Sequence, residues 1–241
     1  MKGIRLLKRL ASAIKFEHTQ ESYAQAGEDR VLRFLFDLLG VPHPTYLDIG
    51  AHHPTYLSNT YLFYKQGARG VCVEPDPTLH QRIQQKRPRD VCLNIGVATG
   101  EDTSLEFYVF DNATMNTFSP EIRDEQIANG RVNTQCLQIP VANVNDVIEH
   151  HLPGVLHLVS LDTEGWDLII LQSFNFEKCR PTAFCIETLE NTIERKIAPI
   201  IDFMISKNYR IFADTYLNTI FVDNNVWNAR PSIAVQVDAV P

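Results

Sequence analysis

The sequence predicts an α/β domain built on an open sheet of seven strands, six of them parallel and one reversed. Continuously apolar runs alternate with helical stretches, a pattern typical of parallel strands that are covered on both faces. Only residues 214–218 separate the last two runs, which leaves no room for a crossover helix, so these runs predict an antiparallel hairpin. The runs are residues 45–50, 70–74, 91–97, 156–162, 182–187, 209–213 and 219–222.

A chain of 241 residues is long enough for one large domain with a full core. No linker rich in Gly, Ser or Pro divides it, so we expect a single domain over residues 21–241. A helix is predicted over residues 28–39. Residues 103–153, between the third and fourth runs, predict a small inserted β-sheet. The polar loop 111–119 in this insertion could cover the ligand end of the main sheet and shape a substrate pocket, or it could be a simple connector.

Composition restricts the partners and the compartment. The net charge of −7 and the pI near 5.6 argue against nucleic acid, because a protein that follows a phosphate backbone needs basic patches. The five cysteines show no C-x-x-C spacing, and Cys72, Cys92 and Cys185 lie inside apolar runs. They are predicted to be reduced core residues, which favours a cytoplasmic setting.

The amino-terminal segment, residues 1–20, is basic. Residues 1–15 hold five Lys or Arg and no acidic residue, and these charges interrupt every apolar run, so neither a signal peptide nor a spanning helix is expected. The remaining apolar residues recur at helical spacing and allow a short amphipathic helix. Such a helix could attach loosely to the anionic inner surface of a membrane, or it could pack on the domain or fray.

Two carboxylates end the first two predicted strands. Asp48 lies two residues before Gly50, and Glu74 lies 24 residues after that glycine. Glycine lets the backbone turn sharply and approach a ligand, and Glu74 could accept hydrogen bonds from both hydroxyls of a ribose. A carboxylate at Asp48 would repel a pyrophosphate, and the other glycines of G-x-G-x-x-G are missing. The pattern therefore favours S-adenosylmethionine, which carries an ammonium and a sulfonium, over a dinucleotide.

Six motifs occur in an order that resembles the FkbM family of S-adenosylmethionine-dependent methyltransferases, over about residues 25–223. They are Ala24-Gln-Ala-Gly-Glu-Asp29, Asp48-Ile-Gly-Ala-His-His-Pro54, Ser58-Asn-Thr-Tyr61, Gly70-Val-Cys-Val-Glu-Pro75, Asn94-Ile-Gly-Val97 and Ser160-Leu-Asp-Thr-Glu-Gly165. Ala24 replaces a serine of the family pattern. Six parallel strands and one reversed strand are also the pattern of class I methyltransferases, a Rossmann-like sheet with the strand order 3-2-1-4-5-7-6.

The resemblance implies O-methylation of a hydroxyl on a sugar, a polysaccharide precursor or a natural product, so the expected partner is a small molecule or a glycan. Two alternatives remain open from the residues alone. One is a nicotinamide-dependent oxidoreductase of the Rossmann type. The other is a non-catalytic cofactor-binding partner of cell-envelope enzymes.

Several polar residues are candidates for cofactor binding. Ser58 and Asn59 could contact the methionine carboxylate or only cap a helix. Asn94 could reach the adenine edge or be a turn residue, and Gln25 owes its role, like Glu28 and Asp29, to the resemblance alone. The full set of predicted cofactor residues is Gln25, Asp48, Gly50, Ser58, Asn59, Glu74, Asn94 and Asp162.

The catalytic candidates are three acids and a histidine. Asp162 and Glu164 end the fourth predicted strand and Glu187 ends the fifth, so all three should meet at one rim of the sheet. Such a cluster could raise one carboxyl pKa enough for base catalysis, or hold a divalent cation such as Mg²⁺, or one acid could merely cap the following helix. His53, with His52 beside it, could be a base or a packing element of its loop.

Overall fold

The computed structural model describes residues 19–100, 102–190 and 195–230, so the basic segment 1–15 lies outside the described residues. The helices are α1 (Glu28–Leu38), α2 (Tyr61–Lys65), α3 (Pro77–Lys86), α4 (Pro120–Ala128), α5 (Val144–His151), α6 (Asp167–Ser173), α7 (Ala198–Ser206) and α8 (Asn224–Ala229). The strands are β1 (Tyr46–Ile49), β2 (Gly70–Val73), β3 (Val91–Leu93), β4 (Gly96–Val97), β5 (Ser104–Phe110), β6 (Asn133–Ala142), β7 (Leu158–Leu161), β8 (Ala183–Glu187), β9 (Leu189–Glu190), β10 (Arg195–Lys196), β11 (Tyr209–Asp214) and β12 (Asn218–Asp223).

The main sheet has seven strands in the order β3-β2-β1-β7-β8-β12-β11. Neighbouring strands are parallel from β3 to β8, whereas β12 runs antiparallel to both β8 and β11. Counted by the seven apolar runs of the sequence, this order reads 3-2-1-4-5-7-6. The prediction of a seven-stranded mixed α/β sheet is confirmed, and so is the hairpin at its end.

Helices cover both faces of this sheet, which explains why its central strands are apolar along their whole length. On one face, residues of α5, α6 and α7 pack against alternate residues of the strands, such as Leu47 and Phe184. On the other face, α1 and α2 place Phe36 and Phe63 against Tyr46. Burying each such side chain contributes about 1.5 to 3 kcal/mol, so the central strands are the most strongly fixed part of the fold.

The third apolar run, residues 91–97, was predicted as one strand, and that prediction is wrong. Strand β3 ends at Leu93 and belongs to the main sheet, whereas β4 pairs with β6 in a separate small sheet. At the break, the Asn94 side chain donates hydrogen bonds to the backbone carbonyls of Glu74 (2.9 Å) and Pro75 (2.8 Å). Both halves of the run are apolar, although β4 is buried and β3 is only partly buried, with Val91 exposed. Hydrophobicity alone therefore does not show the break.

The insertion contains a three-stranded sheet in the order β4-β6-β5, in which β5 and β6 form a long antiparallel pair. Strand β6 covers residues 133–142 and is twice as long as the apolar segment 137–141 that suggested it. Helices α4 and α5 also lie within residues 103–153, and the sequence analysis did not predict them. The loop 111–119 contains a short 3-10 turn at residues 113–115, which the Asn112 side chain caps.

All five cysteines are free thiols, and Cys72 and Cys185 are buried as predicted, while Cys92 is half-buried. Among the helices of the described residues, none has both the length and the apolar character needed to cross a membrane.

Substitution of Gly50 tests how closely the ends of β1 and β7 approach each other. Its φ of 77° is left-handed, and a Cβ atom there would lie 1.8 Å from the carbonyl oxygen of Asp162. Gly130 has a similar φ of 83° but no atom within 4 Å of the corresponding point. Gly130→Ala should therefore cost only the left-handed strain, about 1 to 2 kcal/mol.

Gly50→Ala adds a backbone collision to the same strain, so its cost should exceed about 4 kcal/mol or prevent folding. Urea unfolding of both variants measures the difference. Equal losses in the two variants would show that β7 can move away from the turn.

Candidate active site

A cavity of about 210 Å³ lies over the carboxyl ends of β1, β2, β7 and β8. The strand order reverses between β1 and β7, and in open α/β sheets ligands bind at this position. Seven of the predicted site residues line the cavity together. They are Gln25, Gly50, Asn59, Glu74, Asp162, Glu164 and Glu187.

The turn after β1 forms the floor of the cavity. The backbone amides of Gly50 and Ala51 both donate to the carbonyl of Val73, at 3.0 and 3.1 Å, which ties the turn to β2. On the other side, the Asp162 amide donates to the Ile49 carbonyl at 3.1 Å. Because Gly50 carries no side chain, this part of the floor is bare backbone that a ligand can touch.

Glu74 follows β2 and is buried, with both carboxylate oxygens already hydrogen-bonded to backbone. The His52 amide donates to Oε2 at 2.7 Å and the Asp76 amide donates to Oε1 at 2.8 Å. Burial raises the pKa of Glu74 to about 8, although the two amides act in the opposite direction. Two backbone amides therefore hold the carboxyl group at the wall of the cavity, which Glu74 lines.

Asp48 was predicted to bind the cofactor, but it lies beneath the floor and does not line the cavity. It is 4% exposed, accepts a hydrogen bond from Thr60 Oγ1, and lies 3.7 Å from the Arg87 guanidinium. Burial raises the pKa of Asp48 more than Arg87 lowers it. Thr60 and Arg87 thus already bind the Asp48 carboxylate, and these contacts hold the end of β1 in place.

Ser58, Asn94 and His53 also lie outside the cavity lining. Ser58 Oγ accepts from the Tyr61 amide at 3.1 Å, which is the helix-capping alternative, and Asn94 bridges two backbone carbonyls at the end of β2. His53 Nδ1 accepts from the backbone amides of Thr55 (3.2 Å) and Tyr56 (2.9 Å), so it shapes its loop. Each of the three side chains has a structural partner in place of the predicted ligand contact.

Two neighbours of these residues do face the cavity. His52 lines it with a left-handed φ of 50°, and burial lowers the pKa of its imidazole. Asn59 lines it too, and its amide donates to Ser160 Oγ at 3.2 Å. Of the two adjacent histidines, His52 lines the cavity, whereas the predicted His53 does not.

The three predicted catalytic acids are close neighbours. Carboxylate oxygens of Asp162, Glu164 and Glu187 all lie within 4.8 Å of one another. Burial raises the pKa values of Asp162 and Glu164 well above their usual range, and the charge of Glu187 raises both further. The pKa of Asp162 is raised although its side chain is exposed to the cavity, because protein surrounds the cavity on its other sides.

A distinctive backbone places Glu164 in this group. Its φ of 51° is left-handed, and Gly165 follows at 109°, so the chain doubles back directly after β7. Asp167 holds the turn by accepting the Thr163 amide at 3.1 Å. A left-handed conformation of a residue other than glycine costs about 1 to 3 kcal/mol, and such strain is concentrated at functional sites.

The loop 111–119 lies over the cavity as a roof, with residues 113–116 and Phe118 in the lining. Its role in shaping a substrate pocket stays a prediction. Asn116 Nδ2 donates to Asp76 Oδ2 at 3.2 Å near the end of β2, and Thr117 Oγ1 donates to the Glu164 carbonyl at 2.9 Å beyond β7. Between these ties, Phe118 packs on Gly96, where a Cβ atom would lie 2.4 Å from the ring. The ring also stacks near Trp166, with 5.9 Å between centroids.

Sequence reasoning missed part of the lining. Trp166, Leu57 and Asn218 line the cavity and were not among the predicted residues, whereas Phe118 belongs to the loop 111–119 that was predicted to shape a pocket. Trp166 directly follows the acid motif Ser160–Gly165 and was the easiest of them to find. Asn218 opens the hairpin strand β12 beside Glu187, which the antiparallel pairing of the last strands could have indicated.

The charge of the cavity discriminates between ligands. Its described lining includes the carboxyl groups of Glu74, Asp162, Glu164 and Glu187 and has no Lys or Arg. A pyrophosphate would meet carboxylates there without a cation to balance it, whereas a sulfonium and an ammonium would be attracted. The residues present therefore fit S-adenosylmethionine and do not fit a dinucleotide.

A family model for the methyltransferase FkbM domain matches residues 48–211, which include the acids and the glycine turn of this cavity. The chain belongs to the FkbM methyltransferase family. It is accordingly an S-adenosylmethionine-dependent methyltransferase, so the oxidoreductase and non-catalytic alternatives are set aside. The family match gives the magnesium hypothesis no support. No curated protein matches the chain.

Two solved methyltransferases are among the structures to which this FkbM chain is similar. A TehB-like SAM-dependent methyltransferase from Corynebacterium glutamicum has a TM-score of 0.42 and 12% identity, with 92% of this chain and 96% of that chain covered. A 16S rRNA methyltransferase from T. Thermophilus (RsmC), in complex with AdoMet and guanosine, has a TM-score of 0.42 and 12% identity, with 86% of this chain and 44% of that chain covered. Likenesses of this size support no argument about the substrate.

The position of Asp48 in the FkbM fold leads to a prediction that separates stability from binding. Asp48→Asn should reduce the free energy of unfolding by about 1 to 3 kcal/mol, because it weakens the buried contacts of Asp48 with Thr60 and Arg87 while Asp90 still pairs with the guanidinium. Affinity for S-adenosylhomocysteine, measured by calorimetry on the folded variant, should stay near the wild-type value.

The matched control is Asp37→Asn, since Asp37 pairs with Arg33 at 2.9 Å but its side chain is 65% exposed. This control should lose less than about 1 kcal/mol in urea unfolding. Intact stability together with weaker binding in Asp48→Asn would place Asp48 in contact with the cofactor.

Proposed function

We propose that this enzyme transfers the methyl group of S-adenosylmethionine to a hydroxyl of a sugar, a polysaccharide precursor or a natural product. The observation that carries the proposal is the cluster of Asp162, Glu164 and Glu187 beside the Gly50 turn. A hydroxyl must lose its proton when it is methylated, and a group of carboxylates with raised pKa values supplies a base for that step.

Cofactor binding is assigned to residues along the cavity. Glu74 would accept hydrogen bonds from the ribose hydroxyls, and the bare backbone at Gly50 would allow close approach. Asp162 would pair with the ammonium, while the side-chain amides of Gln25 and Asn59 suit the carboxylate of the amino-acid tail. Ser58 and Asn94 were also predicted to bind the cofactor. That stays a prediction, and the hydrogen bonds that their side chains make within the protein do not support it.

The remaining chemistry belongs to the rim of the cavity. When bound, S-adenosylmethionine supplies an electrophilic methyl group on its sulfonium. Glu164 and Glu187 would orient the substrate hydroxyl and take up its proton, a contribution of about 10² to 10⁴ in rate. Because each carboxylate raises the proton affinity of its neighbour, the cluster accepts a proton more readily than an isolated acid.

The loop 111–119 is proposed to exclude water from this step. Its ties to Asp76 and to the Glu164 backbone span the cavity from the β2 end to the β7 end. Phe118 and Met115 contribute apolar surface to the roof, and Asn116 and Thr114 contribute polar groups. This mixture suits both a cofactor below the roof and a hydroxylated substrate at its edge.

Substitution of Glu74 tests the cofactor assignment. Glu74→Ala should weaken binding of S-adenosylhomocysteine by about 1 to 3 kcal/mol, because ligand hydroxyls lose their partner. Titration calorimetry measures this, with the exposed Glu177→Ala as a control of equal charge change. Wild-type affinity in Glu74→Ala would remove Glu74 from the binding site.

The acid cluster predicts a dependence of stability on pH that needs no substrate. Unfolded Asp and Glu titrate near pH 4, whereas the folded pKa values of Asp162 and Glu164 are raised. The wild type should therefore lose stability as the pH rises above about 4 towards those raised values. Glu187→Gln removes one repelling charge and should lessen this loss.

We expect the melting temperature of Glu187→Gln to exceed that of the wild type at pH 8, by about 2 to 4 °C for each kcal/mol gained, and to match it near pH 4. Glu177→Gln should show no such difference between the two pH values. A Glu187→Gln effect of the same size at both pH values would mean that charge repulsion is not the cause.

A further inference from the structure

One buried amide at the edge of the cavity has no part in the chemistry described above. Asn218 is 7% exposed, opens β12 and pairs in register with Glu187 at the end of β8. Both residues line the cavity. The antiparallel hairpin thus delivers a neutral side chain directly beside the acid cluster.

A second buried residue fixes the direction in which this amide points. Glu28 is fully buried in the first turn of α1, and its Oε1 accepts hydrogen bonds from Asn218 Nδ2 (3.0 Å) and Thr215 Oγ1 (2.7 Å). Its Oε2 accepts the backbone amide of Ala26 at 2.8 Å. A carboxylate can only accept, so it binds the NH₂ end of Asn218 and leaves Oδ1 on the other side. None of the described residues donates to that oxygen.

Hydrogen-bond acceptors are therefore concentrated at this edge of the cavity. Asn218 Oδ1 joins the carboxyl oxygens of Asp162, Glu164 and Glu187, and the described lining holds no basic side chain that could balance an anion. An adjoining surface groove shares Gln25 and Leu57 with the cavity, and the described residues that line it include no charged side chain. Its lining is Ser22, Tyr23, Ala24, Gln25, Thr55, Tyr56 and Leu57.

We propose that Asn218 is a specificity-determining residue whose Oδ1 accepts a hydrogen bond from the methyl-accepting substrate, and that this substrate carries hydroxyl or amino donors and no negative charge near the methylated atom. The groove at Tyr56, whose side chain is 62% exposed, accommodates the remainder of the substrate. This inference rests on the proposed function and narrows it. It excludes phosphorylated and carboxylated acceptors at this position.

The first experiment separates the inference from the proposed function. Calorimetry with S-adenosylhomocysteine comes first, because absence of binding would overturn the proposed function itself. The protein is then incubated with S-adenosylmethionine carrying a deuterated methyl group and an extract of metabolites and glycans from cells that lack this gene. The products are divided on an anion-exchange resin and read by mass spectrometry.

We expect the labelled product in the fraction that the resin does not retain. A labelled product that the resin retains at neutral pH and that carries its phosphate or carboxylate on the methylated residue would overturn the inference while supporting methyl transfer. Absence of any labelled product, despite cofactor binding, would count against the proposed function.

The second experiment tests Asn218 directly, with the productive fraction as substrate stock in a dilution series. Asn218→Leu keeps the size of the side chain but removes the accepting oxygen, so the apparent KM should rise by about 10- to 100-fold. Affinity for S-adenosylhomocysteine should stay near that of the wild type. Asn145→Leu is the control, because Asn145 also uses its amide internally, donating to the Ser173 carbonyl at 2.8 Å, but lies away from the cavity.

Glu28→Gln provides a variant that keeps the shape of the network. The Ala26 amide needs an acceptor, so the Gln oxygen should face it and the Gln NH₂ should face Asn218. The Asn218 amide must then turn over and present its NH₂ to the cavity. We expect the KM to rise as in Asn218→Leu, with a melting temperature close to the wild type. Wild-type KM values in both variants would overturn the role of Asn218.

Discussion

The site depends on one buried cation. Arg87 is fully buried at the end of α3, where its Nε donates to Asp90 at 2.8 Å and its Nη2 donates to Thr60 at 2.9 Å. Thr60 in turn donates to Asp48 in β1, and Asp90 accepts the Tyr46 hydroxyl at 2.8 Å and the Gly70 amide at 3.0 Å. A buried charge is costly unless it is paired, and Asp90 and Asp48 both lie within ion-pair distance of this guanidinium, although its Nη1 has no hydrogen-bond partner. The network ties β1 and β2 together in the observed alignment. That alignment fixes the positions of Gly50, which follows β1, and of Glu74, which follows β2.

Above this network, the protein keeps several carboxyl groups close together although their repulsion opposes folding. The Arg87 charge is buried below the floor and paired with Asp90, so it does not neutralise the cluster at the rim. This negative charge favours a cationic ligand, because such a ligand would relieve the repulsion among the carboxyl groups. Stability and ligand choice are therefore set by the same carboxylates, and the raised pKa values follow from their number and their burial.

The sequence was informative where a pattern is local. Alternating apolar runs predicted the sheet, and the short gap before β12 predicted the hairpin, because both depend on neighbouring residues. It was uninformative where two polar residues far apart decide the outcome. Arg87 lies in the polar segment Lys86-Arg-Pro-Arg-Asp90, which resembles a solvated surface, and nothing in that segment shows that Asp48 is its partner. Asp48 was consequently assigned to the ligand, and Asn218 escaped notice because Glu28 precedes it by 190 residues.

The motif around Gln25 shows how a functional motif can consist mostly of supporting residues. Asp29 accepts the Ser22 hydroxyl at 2.6 Å and the Tyr23 amide at 2.7 Å, and Glu28 accepts the Ala26 amide. These two buried acids fold the segment back on the start of α1, and that fold carries Gln25 to the cavity. Glu28 also accepts a hydrogen bond from the side-chain amide of Asn218. The acids of the motif do not line the cavity themselves, and they position two of the side-chain amides that do, Gln25 and Asn218.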